Sequence, residues 1–241
     1  MALNGIRIFS KNQTLQIDEN YNNLYMVNKA IFSMSATGNQ PTTYLSGAIT
    51  YTAATRNNLV SFTCLTVGVQ ILIFKGNGNE YYFTADAPCT LVIYEFGKLA
   101  NAPSYGRFGI KVVRKSDNTV SFDSTRKPMR VIEALTYDIA VNGTSAPSTQ
   151  NFDFTVPSGK TYAFCASQIT SNYIGLSGPI AGGGQRIYYY RCGTPGCKLI
   201  NSNTFRASGG LAYGIGGGTN AGTYDYGKGT VNGFVIDVTY Y

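Results

Sequence analysis

The chain has no histidine and no tryptophan, and charged residues make up only 13% of it. Without histidine there is no Ser-His-Asp triad, no Cys-His pair and no HExxH zinc helix. A GxxxxGK[ST] phosphate loop is also missing: AGGGQR at 181–186 is glycine-rich but precedes a strand, and SGK at 158–160 lacks the first glycine at the right spacing. No apolar run approaches the ~18 residues of a membrane-spanning helix. The opening MALNGIRIFS has neither a charged start nor an apolar core run, so the expectation is a chain without a signal peptide, made in the cytosol and not inserted in a membrane.

Acids are scarce, at 12 Asp and Glu together. A glycan-cleaving enzyme needs two carboxylates facing one cleft. Glu80, Asp86, Glu95, Asp153, Asp225 and Asp237 are the residues to weigh, and no pair of them has a diagnostic spacing. They read as ordinary surface and turn acids. The expectation is a protein that is not an enzyme, with no catalytic residues and no cofactor.

The five cysteines are an odd number, which argues against a disulfide framework. Cys64 in SFTCLTV and Cys165 in YAFCASQ sit inside apolar runs and read as small buried hydrophobes. Cys192 and Cys197 flank a Gly-Thr-Pro-Gly stretch in RCGTPGC, which reads as a hairpin turn, with free thiols at the turn or a disulfide across it. A zinc site would need two further ligands, and no metal is expected.

The net charge is +7 and the sequence pI about 9.1. Nucleic acid is the first reading of such a balance. Here the bases are scattered, and the densest runs (Lys111, Arg114, Lys115, then Arg126, Lys127, Arg130) flank one predicted hairpin, where solvated strand edges account for them. No nucleic-acid partner is expected. Attraction to an acidic surface such as bacterial lipopolysaccharide needs no motif and stays open.

What the chain does have is 19 Tyr, 28 Gly and many Val, Ile and Thr in short segments punctuated by glycine. That composition favours an all-β fold. Its 241 residues suffice for one large β domain or two small ones. A repeat favours two. Gly5-Ile6-Arg7-Ile8-Phe9 matches Gly109-Ile110-Lys111-Val112-Val113, Leu15-Gln16-Ile17-Asp18 matches Val120-Ser121-Phe122-Asp123, and Leu24-Tyr25-Met26-Val27 matches Met129-Arg130-Val131-Ile132. The turns SKNQT and KSDNT carry the Asn, Asp and Ser of tight hairpins. In the long strand that follows, the alternation of apolar residues is broken once per copy, at Asn28 and at Glu133, 105 residues apart, where a bulge or a bend is expected.

Each half is therefore predicted as a hairpin, a long strand and several shorter strands, giving two tandem duplicated β-sandwich domains at 1–103 and 104–241, joined through LANAPSYG at 99–106. A single larger β domain is the alternative. Strands are expected at 58–66, 69–74, 80–84 and 90–96, then at 151–155, 161–167, 186–191, 197–201 and 233–240. Cys64 and Cys165 are candidates for similar places in the two copies. The second copy carries a Gly/Tyr-rich insertion at about 177–233, predicted as loops, whose Tyr188, Tyr189, Tyr190, Tyr213, Tyr224 and Tyr226 are candidates for receptor or subunit contact.

The segments NGIRIFSKNQTLQID followed by LYMV, and FGIKVVRKSDNTVSFDSTRKPMRVI, resemble the hairpin-plus-strand opening of small minor tail and tail-tip proteins of long-tailed bacteriophages. The resemblance covers two windows of about 25 residues each, and here the motif occurs twice. It implies a structural protein of the virion tail tip or baseplate, assembled in the host cytoplasm. The implied partners are other phage tail proteins, further copies of the chain in a homo-oligomer, and a host cell-surface glycan or protein. Another virion surface part (a capsid decoration protein or fibre adaptor) and a carbohydrate-binding module are the alternatives.

Overall fold

Period-two alternation of Val, Ile, Phe and Tyr sets up strands, and Gly, Asn and Ser end them. The structure is a computed structural model that describes residues 7–9, 15–18, 23–36, 48–76, 78–114, 116–140, 148–149, 151–155, 157, 159–166, 172–181, 185–218 and 228–241. In the first half these residues form β1 (Arg7–Phe9), β2 (Leu15–Asp18), β3 (Tyr25–Met34), β4 (Ile49–Thr52), β5 (Leu59–Cys64), β6 (Gln70–Lys75), β7 (Glu80–Ala85) and β8 (Cys89–Gly97). A single 3-10 turn at Leu99–Asn101 begins the join. The second half contributes β9 (Lys111–Val113), β10 (Val120–Asp123), β11 (Val131–Ala140), β12 (Ser148–Thr149), β13 (Phe152–Thr155), β14 (Tyr162–Ala166), β15 (Asn172–Ala181), β16 (Gln185–Asn201), β17 (Thr204–Gly218) and β18 (Lys228–Asp237). Among the described residues no helix is long and apolar enough to cross a membrane.

The strands make two small hairpins, β1–β2 and β9–β10, and two seven-stranded antiparallel sheets. The fold is all-β as expected, with sheets packed against each other, and the two tandem sandwiches are not confirmed as separate units. Each large sheet draws strands from both halves, because β5 pairs with β14 in one and β6 pairs with β16 in the other. Outward from the first junction the order is β5, β8, β3 on one side and β14, β18, β11, β12 on the other. Outward from the second it is β6, β7, β4 and β16, β17, β13, with β15 on β16. What recurs along the chain is half of a sandwich. Equivalent strands meet each other antiparallel at both junctions, as a twofold relation between the halves requires.

The expected bulges lie at matching places. The β3–β8 register shifts between Met26 and Asn28, and the β11–β18 register shifts between Val131 and Glu133. Aligning the halves on these bulges puts Ser61 of β5 opposite its own counterpart, Cys165 of β14. The supposed likeness of Cys64 and Cys165 is thereby corrected. Cys64 faces the core between the sheets, whereas Cys165 belongs to a second apolar cluster with Met26, Phe96, Ile236 and Val238.

One core runs through both halves. Phe62 lies at its centre, fully buried. Its ring meets Phe164 across the β5–β14 junction edge-on at 5.8 Å, and Phe83 of the facing sheet edge-on at 5.2 Å. At the other junction Gly196 stands so close to β6 that a Cβ there would fall 2.2 Å from the Ile71 carbonyl oxygen. Thr194 donates its hydroxyl to the Ile73 carbonyl across the same junction, and Gln70 donates to Ser208 Oγ at 3.1 Å. A third contact closes one end: the Met26 amide donates to the Lys127 carbonyl (2.8 Å) and the Met129 amide to the Leu24 carbonyl (2.7 Å). Beside it the buried Tyr25 hydroxyl accepts from the Asp123 amide at 3.0 Å, which anchors the β9–β10 hairpin.

Since both sheets and the core cross from one half to the other, the chain is expected to unfold in one calorimetric transition. Phe164→Ala removes a buried ring at the junction and should cost about 3–5 kcal/mol of the stability of the whole chain. Two separately shifted transitions would contradict the shared core.

Candidate functional site

The halves differ where the second is longer. Near the junction β16 pairs β6 through Gly196–Lys198, and β17 pairs β13 through Thr204–Ala207. Beyond these pairings β16 and β17 remain paired with each other, from Gly193 opposite Leu211 to Arg186 opposite Gly218. β15 joins the other side of β16, from Asn172 opposite Gly193 to Ala181 opposite Gln185. The result is a three-stranded arm about 30 Å long, at about 3.3 Å per residue. The predicted insertion at 177–233 is thus corrected in form. It consists of two pieces on either side of the β16–β17 turn, and much of it is strand.

Tyr188, Tyr189 and Tyr190 are consecutive in the arm, opposite Ser177, Leu176 and Gly175 on one side and Gly216, Ile215 and Gly214 on the other. Tyr213 is opposite Arg191. Tyr224 and Tyr226, with Asp225, lie outside the described residues.

The RCGTPGC hairpin is not formed. β16 runs through it without a turn, with Cys192 opposite Ala212 and Cys197 opposite Ala207. Five residues of strand separate the two Cα atoms by about 16 Å, far beyond the ~7 Å limit of a disulfide. Cys197 is a free, fully buried thiol near Cys64 and Cys89. Burial, then the Cys64 thiol beside it, pushes Cys89 up to about 12, and burial pushes Cys165 up to about 12. Such thiols stay protonated and unreactive at neutral pH.

The described carboxylates named from the sequence each have their own partners. Glu95 is 1% exposed and accepts from the Tyr51 hydroxyl (2.6 Å), the Ala54 amide (2.7 Å) and Asn58 Nδ2 (2.5 Å), fastening the loop after β4 to β8. Asp153 takes both arms of the Arg206 guanidinium, at 2.6 and 2.7 Å. Glu80 accepts from Tyr82, and Asp86 accepts from the Gln70 amide. Asp237 accepts from Lys160 Nζ at 3.2 Å and from the Thr239 amide at 3.0 Å, with Arg130 3.5 Å away. No two of these share a partner among the described residues. Likewise, no group of three or more Cys, Asp or Glu among the described residues is placed to hold a metal ion.

Sequence reasoning missed one surface. Between the join and β9, Tyr105 is 51% exposed, Phe108 94%, Ile110 68% and Val113 46%. The motif Gly109-Ile110-Lys111-Val112-Val113 was legible as a strand, yet only Val112 of its apolar residues is buried.

Neither a protein-family model, nor a curated protein, nor a solved structure matches the chain.

Two buried aspartates set an acid limit. Burial raises Asp237 and Asp123, but hydrogen bonds from Thr239 and Lys160 with Arg130 nearby, and from Thr125 with Lys111 and Arg126 nearby, outweigh it and hold both below the ordinary value of 3.8. Groups depressed on folding stabilise fully above their unfolded pKa and lose that contribution as pH falls through the folded one. Thermal stability should therefore fall as pH drops below about 4, where unfolded aspartate begins to bind protons. Asp237→Asn should flatten part of that fall, and an unchanged profile would count against the ion cluster.

Proposed function

We propose that the chain is a non-catalytic structural and attachment component of a bacteriophage tail tip, the role implied by the resemblance of its two opening motifs. The observation that carries this reading is the apolar surface at the second motif. A strand motif whose Ile110 and Val113 face water, preceded by Phe108 at 94% exposure, needs a partner to cover it. In an assembled tail that partner is a neighbouring subunit.

The rest of the fold supports the same reading. Two half-sandwiches sharing one core make a stiff unit, and the arm adds backbone that another chain can extend. β15 is ten residues long, carries no charged side chain, and pairs along one side with β16, with no second partner strand among the described residues. Natural edge strands are usually blunted by charge or by short length. Pro179 and the register shift between Ser177 and Ile180 interrupt only one end of β15, so its stretch from Asn172 to Ser177 suits strand addition by a partner. Many copies on one particle multiply weak contacts.

Immunogold electron microscopy with an antibody to the second half tests the reading. Label at the tail end is the expected result. Label on heads, or on no particle, overturns it. The double variant Phe108→Ser, Ile110→Ser should keep its melting temperature, because both side chains are already in water, and should lose incorporation into particles.

A further inference from the structure

The bases around the second hairpin were read from the sequence as solvated strand edges. The structure instead gathers two of them, with a third from the other half, around a cavity of about 540 Å³. Lys98 comes from the end of the first half, Lys111 from β9 and Arg126 from the turn after β10. Against these three cations stands one carboxylate, Asp123, which is 3% exposed.

The carboxylate is already committed. Its Oδ1 accepts from the Thr125 amide at 2.9 Å and from the Thr125 hydroxyl at 2.6 Å. Its Oδ2 stands 3.6 Å from Lys111 Nζ and 3.5 Å from Arg126 Nε. Arg126 gives Nη1 to the Leu99 carbonyl at 2.9 Å, while its buried Nε has no hydrogen-bond acceptor. Positive charge exceeds negative here, and one buried donor has no acceptor. That Nε is itself out of solvent's reach, with the Asp123 carboxylate 3.5 Å away, so what the cavity offers an anion is the excess of positive charge from Lys98, Lys111 and Arg126.

The walls complete the chemistry. Leu24 and Leu99 give an apolar side, and Asn23 and Thr119 bring polar groups. The volume lies in the range of small-molecule sites. A bare inorganic anion would use the cations and leave the apolar wall idle.

We propose that this cavity binds an acidic monosaccharide unit, with its carboxylate or phosphate at Lys98, Lys111 and Arg126 and its ring against Leu24 and Leu99. Such a unit occurs in acidic cell-surface glycans and as a free sugar acid or sugar phosphate. The site does not depend on the tail-tip reading, since it concerns the cavity alone.

Isothermal titration calorimetry of the full chain with glucuronate, glucose 6-phosphate, glucose and inorganic phosphate tests it. The expected result is binding of both acidic sugars and none of glucose. Lys98→Ala, Lys111→Ala should weaken that binding about tenfold or more, as loss of charge-assisted hydrogen bonds implies. Lys111 also pairs with Asp123, so some fall in melting temperature is expected, and the double variant is compared at a temperature where its circular dichroism matches the parent chain, so that a loss of binding does not reflect unfolding. No binding of either acidic sugar at 10 mM (roughly the weak limit for a small polar ligand) overturns the proposal. So does inorganic phosphate binding as tightly as glucose 6-phosphate, or affinity that the double variant leaves unchanged. An acidic oligosaccharide that binds more tightly than either single sugar points to a surface glycan as the source, whereas equal affinity points to the free sugar, and both results support the site.

Discussion

The fold depends on one contact, the ring of Phe62 held between Phe164 and Phe83. Phe164 lies across the junction of the two halves and Phe83 lies in the opposite sheet, so this cluster fixes two relations together. It keeps the halves in one sheet, and it keeps that sheet packed on its partner. The second junction has no room for a side chain at Gly196, and there the backbone itself fills the contact. The halves are therefore welded through an aromatic cluster in one layer and through close-packed backbone in the other.

Much of the first half was legible because its strands alternate cleanly and its turns are short. β5, β6, β7 and β8 fall where Val, Ile, Phe and Tyr recur between Gly and Asn. The shared polar lapses at Asn28 and Glu133 also announced their bulges, since a residue that breaks the buried face in both copies marks a backbone irregularity common to both. The domain count was not legible. A repeat in sequence says that a pattern occurs twice, and it does not say whether each copy closes on itself. That choice rests on β5 meeting β14 and β6 meeting β16, pairings of residues about a hundred or more positions apart that leave no local signal.

Of the arm, the strand at 186–191 was legible, and the rest was missed for a different reason. LAYGIGGG and GTPG carry residues that favour turns when isolated, yet in β16 and β17 they lie in a long ladder whose hydrogen bonds need no side chains. Pairing overrode propensity, and it took with it the reading of RCGTPGC as a hairpin. The charged cavity was hidden similarly. Lys111 and Arg126 stood out only as members of basic runs and Lys98 not at all, and their convergence depends on Tyr25 anchoring the second hairpin beside the entry to β3.

The unequal lengths of the two halves have a consequence for how many contacts one chain can offer. A free homodimer of second halves, joined as the halves are here, would carry two arms related by a twofold axis and would bridge neighbours in two directions. Linking a long half to a short one leaves a single arm on an otherwise nearly symmetric body. A feature present once per chain gives the molecule a polarity that a symmetric dimer lacks.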